Sequence, residues 1–161
     1  MKNIHYYIIT AALVALAPLA RAEHKTSYGL YGQSLKAKTE KPDIFGRTKT
    51  TYKSNSYKTL GTSVAEKPDI FGRTKSTYKD STYKTLGTTV TKKPDIFGRK
   101  KTEIKDKYGR VLGTAVTEKP DIFGRIKTTY KDKSGRTVGS ATTEKPDIFG
   151  NRKTTQQGHN P

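Results

Sequence analysis

The sequence predicts an all-β fold made of tandem 26-residue repeats, with two short strands in each repeat. Three observations predict it: the hexamer KPDIFG recurs at a constant interval, the residues after it alternate between cationic and uncharged, and turn-forming residues follow. These features indicate a β-solenoid or an elongated β-meander. A largely disordered monomer is the alternative, because hydrophobic residues make up only 31% and the net charge is +18.

The chain divides into four segments. Residues 1–22 are typical of a secretory signal peptide, with an apolar run after Lys2 and small residues before a cleavage site after Ala22. That apolar run is shorter than the roughly 20 residues of a membrane-spanning helix, so we expect a secreted or periplasmic protein without a transmembrane span. A degenerate N-terminal cap (23–40), the tandem repeats (41–150, starting at 41, 67, 93, 119 and 145) and a C-terminal cap and tail (151–161) follow.

The first strand of each repeat follows the hexamer. In the fourth copy, RIKTTYK places cations on one face and Tyr130 on the other, because side chains alternate along a strand. The sequence therefore predicts a wet, basic face that could bind a polyanion. The predicted polyanion-binding residues are Arg47, Lys49, Lys53, Arg73, Lys75, Lys79, Arg99, Lys101, Lys105, Arg125, Lys127 and Lys131.

A turn and a second strand complete the repeat. KDKYGR and KDKSGR contain the Asp and Gly of a turn, whereas the first two copies lack the Gly, which leaves open a different turn type there. In the second strand Leu60, Thr62 and Val64 share a face. We expect Leu and Val to be buried with Tyr in the core of the array, since one repeat alone buries too little to fold.

The hexamer joins one repeat to the next. Pro42 suits the second position of a turn and Asp43 the third, while Gly46 permits a conformation closed to other residues. Ile44 and Phe45 either plug the end of the core or contact a partner, and the plugged corner is the favoured interpretation. The predicted corner residues are Pro42, Asp43, Ile44, Phe45, Gly46, Pro68, Phe71, Pro94, Phe97, Pro120, Phe123, Pro146 and Phe149.

Two local resemblances accompany this plan. The stretch YKDKSGR, with Tyr130, Asp132, Gly135 and Arg136, is similar to the Tyr-Asp…Gly-Arg element of YD (Rhs) repeats, although Lys131 separates Tyr from Asp here. The five-copy, strand-turn-strand plan resembles that of curli-class fibre subunits, without their regularly placed Gln and Asn. The second resemblance implies a self-assembling extracellular fibre subunit.

Composition argues against catalysis and metal binding. The chain has no Cys and three His, and the acidic residue of the hexamer repeats once per copy, which is typical of a turn former and not of a unique catalytic site. We therefore predict a non-enzymatic protein without metal or cofactor.

Net charge points to acidic partners. The cations are spread evenly over the repeats, so we expect a structural or interaction protein of the cell surface or periplasm that binds acidic polymers through its basic strand faces. Acidic polysaccharide, lipopolysaccharide and extracellular DNA are the candidate partners. The alternatives are that the charge only keeps β-rich chains soluble and their edges apart, or that the protein self-associates into fibres.

Overall fold

The protein, seen here in a computed structural model, consists of β-strands over the described residues, 25–30 and 33–158. The all-β prediction with two strands per repeat is confirmed. The expected signal peptide lies outside the described residues. The strands are β1 (Lys25–Leu30), β2 (Gln33–Thr39), β3 (Thr48–Ser54), β4 (Thr59–Ala65), β5 (Thr74–Asp80), β6 (Thr85–Thr91), β7 (Lys100–Asp106), β8 (Val111–Thr117), β9 (Ile126–Asp132), β10 (Thr137–Thr143) and β11 (Arg152–Gly158).

The strands form one meander. From β2 to β11 each strand pairs antiparallel with the next one along the chain. β1 pairs antiparallel with β2 and parallel with β11, and the strand order therefore closes into a barrel. Among the described residues, no helix is long and apolar enough to cross a membrane.

The loops lie in two sets at opposite ends of the barrel. The hexamers occupy the connections from each even-numbered strand to the next odd-numbered one, and we call this the hexamer end: loops 40–47, 66–73, 92–99, 118–125 and 144–151. The shorter connections lie at the other end, which we call the hairpin end: loops 55–58, 81–84, 107–110 and 133–136.

The inner face of the barrel holds one large side chain at the same position of each repeat among small ones, and the fourth copy adds the buried Ile126. Tyr52, Tyr78, Ile104 and Tyr130 are all at most 6% exposed. The expectation that the uncharged face of each first strand is buried is therefore confirmed. Each of these four side chains is paired across the sheet with a glycine of the following strand, as Tyr52 is with Gly61.

The second strands do not bury their Leu and Val row, and that expectation is wrong. Gly61 and Ser63 face the interior, while Leu60, Thr62 and Val64 lie on the outer face and are partly exposed. The reason is steric: Gly61 is paired with the buried Tyr52 and has the backbone of Lys79 and Asp80 against it, so only small side chains fit on the inner face there. Leu86 and Leu112 still pack partly against the core cluster.

Each hairpin also contains a register shift, a β-bulge, beside the glycine of its second strand. The register shifts after Tyr52, so that Gly61 and Thr59 pair with consecutive residues of β3 and Leu60 is left as the extra residue. Glycine is required beside it because the adjacent hairpin approaches closely. A Cβ atom on Gly113 would lie 2.2 Å from the backbone oxygen of Lys131, and one on Gly61 would lie 2.4 Å from that of Lys79.

This close approach predicts the effect of Gly113→Ala. The added Cβ would meet a backbone atom that cannot move without disturbing the β8–β9 ladder, so we expect a loss of about 1–3 kcal/mol in the free energy of unfolding. Urea denaturation measures it. Thr114→Ala, on the outer face of the same strand, is the matched control and should cost less than about 1 kcal/mol. Equal losses in the two variants would contradict the packing described here.

Candidate functional site: the outer wall and the hexamer end

The hexamer turn is organised by its aspartate. Asp43 is the first residue of the turn: its carbonyl accepts the N–H of Gly46, and its carboxylate accepts the N–H groups of Phe45 and Arg47 at 2.9 Å. Gly46 has a φ of +75°, which only glycine adopts without strain. The prediction that Pro42 and Asp43 hold the second and third positions is wrong, because the carboxylate needs N–H groups that follow it in the chain.

The same turn is used at the hairpin end. Asp106 accepts the N–H groups of Gly109, Tyr108 and Arg110 in the pattern that Asp43 uses. The first two copies form this turn as well, so no different turn type occurs there. Tyr57 and Tyr83 take the glycine position with φ of 62° and 64°, a conformation that costs a bulky residue about 1–2 kcal/mol.

Comparison of the turns at the two ends shows which side chains the turn does not need. At the two positions after the aspartate, the hairpin end carries polar or aromatic residues, such as Lys133 and Ser134, and the backbone hydrogen bonds are the same. Ile44 and Phe45 are therefore not required for the turn to form. Their chemistry at the hexamer end calls for another explanation.

The hexamer apolar pair points away from the core. Ile44 is 93% exposed and Phe45 is 65% exposed, and the other four copies repeat this with isoleucines at 92–94% and phenylalanines at 62–80%. The favoured interpretation of the sequence, an apolar plug of the core, is wrong. The plug is unnecessary because hydroxyl groups occupy the inner face near this end, as in the 3.0 Å contact between Thr117 and Thr128.

The hexamer arginines belong to the loops and not to the strand face. Arg47 donates from Nε to Asp43 Oδ2 at 2.8 Å, and its guanidinium lies 5.0 Å from the ring centre of Phe45. Arg73, Arg99 and Arg125 repeat both contacts. In the last copy Asn151 replaces the arginine, and Phe149 is 80% exposed. Each arginine thus closes its turn and covers part of one aromatic ring.

The predicted lysines do share one surface, the outer wall of the barrel. Lys49 and Lys53 flank Thr51 on the outer face of β3, and β5, β7 and β9 repeat the arrangement. The intervening strands present uncharged side chains there, so these four lysine-bearing strands are about 9.6 Å apart, and the two lysines of each strand, four residues apart, are separated by about 13 Å. The eight predicted lysines on this wall are Lys49, Lys53, Lys75, Lys79, Lys101, Lys105, Lys127 and Lys131.

The structure adds three lysines that the sequence argument missed. Lys36 and Lys38 of β2 flank the buried Ala37, and Lys153 of β11 precedes the buried Thr154, so all three lie on the outer wall. Lys36 is directly opposite Lys53. Comparison of the repeats does not reveal these lysines, because the sequences of the first and last strands differ from the repeat. The available signal was the alternation of lysines with a small residue, Ala37 or Thr154, that faces the interior.

The outer wall carries little compensating negative charge. Among the side chains described, 36–157, its single carboxylate is Glu103, which pairs with Lys105 at 2.8 Å. Glu40, from the loop, reaches Lys49 at 4.0 Å. Within the same residues, no group of three or more His, Asp or Glu side chains could hold a metal ion. The wall is therefore a cationic surface of regular spacing.

The turn aspartates have lowered pKa values. For Asp43 the largest cause is the hydrogen bond from the backbone N–H of Arg47; partial desolvation opposes it, and the Arg47 side chain and the N–H of Phe45 lower the pKa further. Asp69, Asp95 and Asp121 have the same causes. These carboxylates are ionised at neutral pH as structural acceptors.

Comparison with protein-family models, with curated proteins and with solved structures finds no match to this chain.

The lowered pKa values predict acid lability. A carboxylate whose pKa is lowered by folding stabilises the protein fully above its unfolded pKa, near 3.8, and that stabilisation is lost as pH falls through the folded value. We expect a constant Tm from pH 7 to about 5 and a steep fall below about 4. Replacing Asp69 and Asp95 with Ser, the residue at the equivalent Ser54, should lower Tm at pH 7 and flatten the acid limb. A wild-type Tm independent of pH down to about 2 would contradict this.

The shared turn predicts that the hexamer apolar pair contributes little to stability. Ile70→Lys with Phe71→Ser gives the turn the residues found at 133–134, so we expect the free energy of unfolding to change by less than about 1 kcal/mol, mainly from the lost arginine–ring contact. Thermal and urea unfolding measure the change. Asp69→Ala in the same loop should be clearly more destabilising. The reverse order would show that the apolar pair holds the fold.

Proposed function

We propose that this is an exported, non-enzymatic repeat protein of the cell surface or periplasm that binds acidic polymers on the outer wall of its barrel. The observation that carries the proposal is the charge of that wall: eleven lysines against one carboxylate among the described side chains. The lysine-bearing strands β3, β5, β7 and β9 are separated by strands with uncharged outer faces, and β2 adds two lysines beside β3. The carboxylates of the wall therefore cannot neutralise its positive charge, whereas a bound polyanion can.

Spacing favours a polymer over a small anion. On β3, β5, β7 and β9 the lysines are about 13 Å apart along a strand and about 9.6 Å apart between strands, a lattice on which no three ammonium groups converge. A single phosphate or sulfate meets one or two of them, whereas a chain of such groups meets many. Recognition of this kind depends on charge density and is weakened by salt.

The closed strand order weakens the alternative that the lysines only protect strand edges. Each strand from β2 to β11 is paired on both sides, and β1 covers the two strands that would otherwise be edges. Lysines at the centre of paired strands, such as Lys75 and Lys101, protect no edge. The closure also removes the free edges on which a fibre subunit would depend, so polyanion binding is the function we favour.

The arginines are not part of the proposed surface. Arg47 and its equivalents already hold a carboxylate and lie at the hexamer end, so the proposal depends on the lysines of the wall. Acidic polysaccharide, lipopolysaccharide and extracellular DNA share the chemistry that these lysines recognise.

The test is binding to a labelled 30-base-pair DNA fragment and to dextran sulfate as a function of salt. We expect the affinity to fall steeply with salt and not to depend on DNA sequence. Combining Lys75→Gln, Lys101→Gln and Lys127→Gln should weaken binding by about tenfold or more at physiological salt and make the salt slope shallower by up to about 3.

The matched control removes the same charge from the hexamer end. Lys67→Gln, Lys93→Gln and Lys119→Gln lower the net charge equally but leave the wall intact, so they should weaken binding much less. Equal effects of the two triple variants would mean that net charge alone governs binding, and the wall would then not be the site. Absence of binding at low salt would overturn the proposed function.

A further inference from the structure

The hexamer end displays a row of apolar side chains. Adjacent hexamer loops are about 9.6 Å apart, since two strands separate them, and a lysine stem lies between them: a Cβ atom on Gly46 would lie 3.5 Å from the Lys67 side chain, and those on Gly72, Gly98 and Gly124 would lie 3.0–3.3 Å from the equivalent lysines. Five isoleucines and five phenylalanines project from these loops. The loops therefore stand side by side at one end of the barrel, with the aliphatic stems of lysines between them.

Its size exceeds that of an ordinary exposed patch. A phenylalanine offers roughly 150–250 Å², and with about two thirds of each ring exposed and nearly all of each isoleucine, the row presents on the order of 1,000 Å². Monomeric proteins rarely expose more than a few hundred Å² in one apolar patch. A stable interface needs roughly 800 Å² from each partner. The row is large enough for one.

The charge of this end differs from that of the rest of the chain. The five hexamer loops together contain ten Lys or Arg and nine Asp or Glu residues, a net charge of +1 out of the +18 of the whole chain. Four of the arginines are paired with the aspartate of their own loop. Two copies of this protein repel each other where their lysine walls meet, and the repulsion is weakest between two hexamer ends.

We propose that the hexamer end is the interface of a homodimer, in which two barrels meet end to end through their Ile–Phe rows. The contact is isologous, because the same row serves both copies. A neutral, apolar end matches a second identical end. It does not match an anionic membrane surface, which the lysine wall would attract instead.

The hairpin end provides the internal comparison. It uses the same turn, yet the residues equivalent to Ile44 are Asn55, Ser81, Lys107 and Lys133. Its exposed aromatics are tyrosines, whose hydroxyl groups prefer water, and Lys107 lies over the ring of Tyr108. The two ends thus share a backbone conformation and differ in surface chemistry. We place the dimer contact at the hexamer end, because its exposed side chains are apolar.

The experiment is the molar mass of the exported protein, measured by light scattering or sedimentation over roughly 1 to 100 µM. The expected result is a dimer whose dissociation constant is nearly unchanged by added salt. Replacing two central pairs, by Ile70→Lys, Phe71→Ser, Ile96→Lys and Phe97→Ser, should weaken it at least about a hundredfold. Unfolding curves check that this variant is folded, which we expect because the same turn carries Lys and Ser at 133–134.

The control places the same two charges at the hairpin end by Asn55→Lys and Ser81→Lys, with Tyr108→Ser removing an exposed aromatic ring. It should remain dimeric. A wild-type protein that stays monomeric throughout, or a dimer that survives the hexamer-end substitutions, would overturn the proposal. So would retention of a monomer on phosphatidylcholine vesicles that the hexamer-end variant abolishes, since the row would then contact lipid. DNA binding by the wall is scored separately, so the two proposals can fail independently.

Discussion

The hydrogen bonds made by the first residue of each turn, an aspartate in all but one of the described turns, are the interactions on which the rest of the structure depends. Eight aspartates and Ser54 begin turns with the same two backbone hydrogen bonds, at both ends of the barrel. Each fixes where one strand stops and the next begins. Constant strand length follows, and with it the alignment of one repeat's side chains beside those of the next.

That alignment produces the division between core and surface. Because the turns hold the strands in matching register, the Tyr or Ile at the equivalent inner position of each repeat faces a glycine, and the lysine-bearing outer faces of β5, β7 and β9 lie between uncharged ones. The lysines of one repeat are thereby kept apart from those of the next. The same regularity places five identical loops side by side at one end. Both proposed surfaces are products of register, and neither requires a cavity.

The sequence alone predicts the strands correctly, but it does not predict which apolar residues are buried. Alternation identified the lysine face of β3, β5, β7 and β9 correctly, because period 2 is a local property of a strand. It misplaced Leu60 and Val64, since hydrophobicity alone does not reveal that the ring of Tyr52 already fills the interior. It misplaced Ile44 and Phe45 for a related reason: a turn sequence does not show whether the core behind it is already closed. Closure through β1 and β11 depends on a pairing between the two ends of the chain, which no local pattern encodes.

The parallel pairing of β1 with β11 has a consequence for how such a molecule can vary. An alternating up-and-down chain with an odd number of strands cannot close antiparallel throughout, so one parallel seam is unavoidable. A further 26-residue repeat would add two strands, and the count would stay odd. The seam, the turns and the two kinds of end would be retained while the circumference grew in fixed steps. Repeat number then acts as a size control: it sets the area of the wall and the length of the apolar row together.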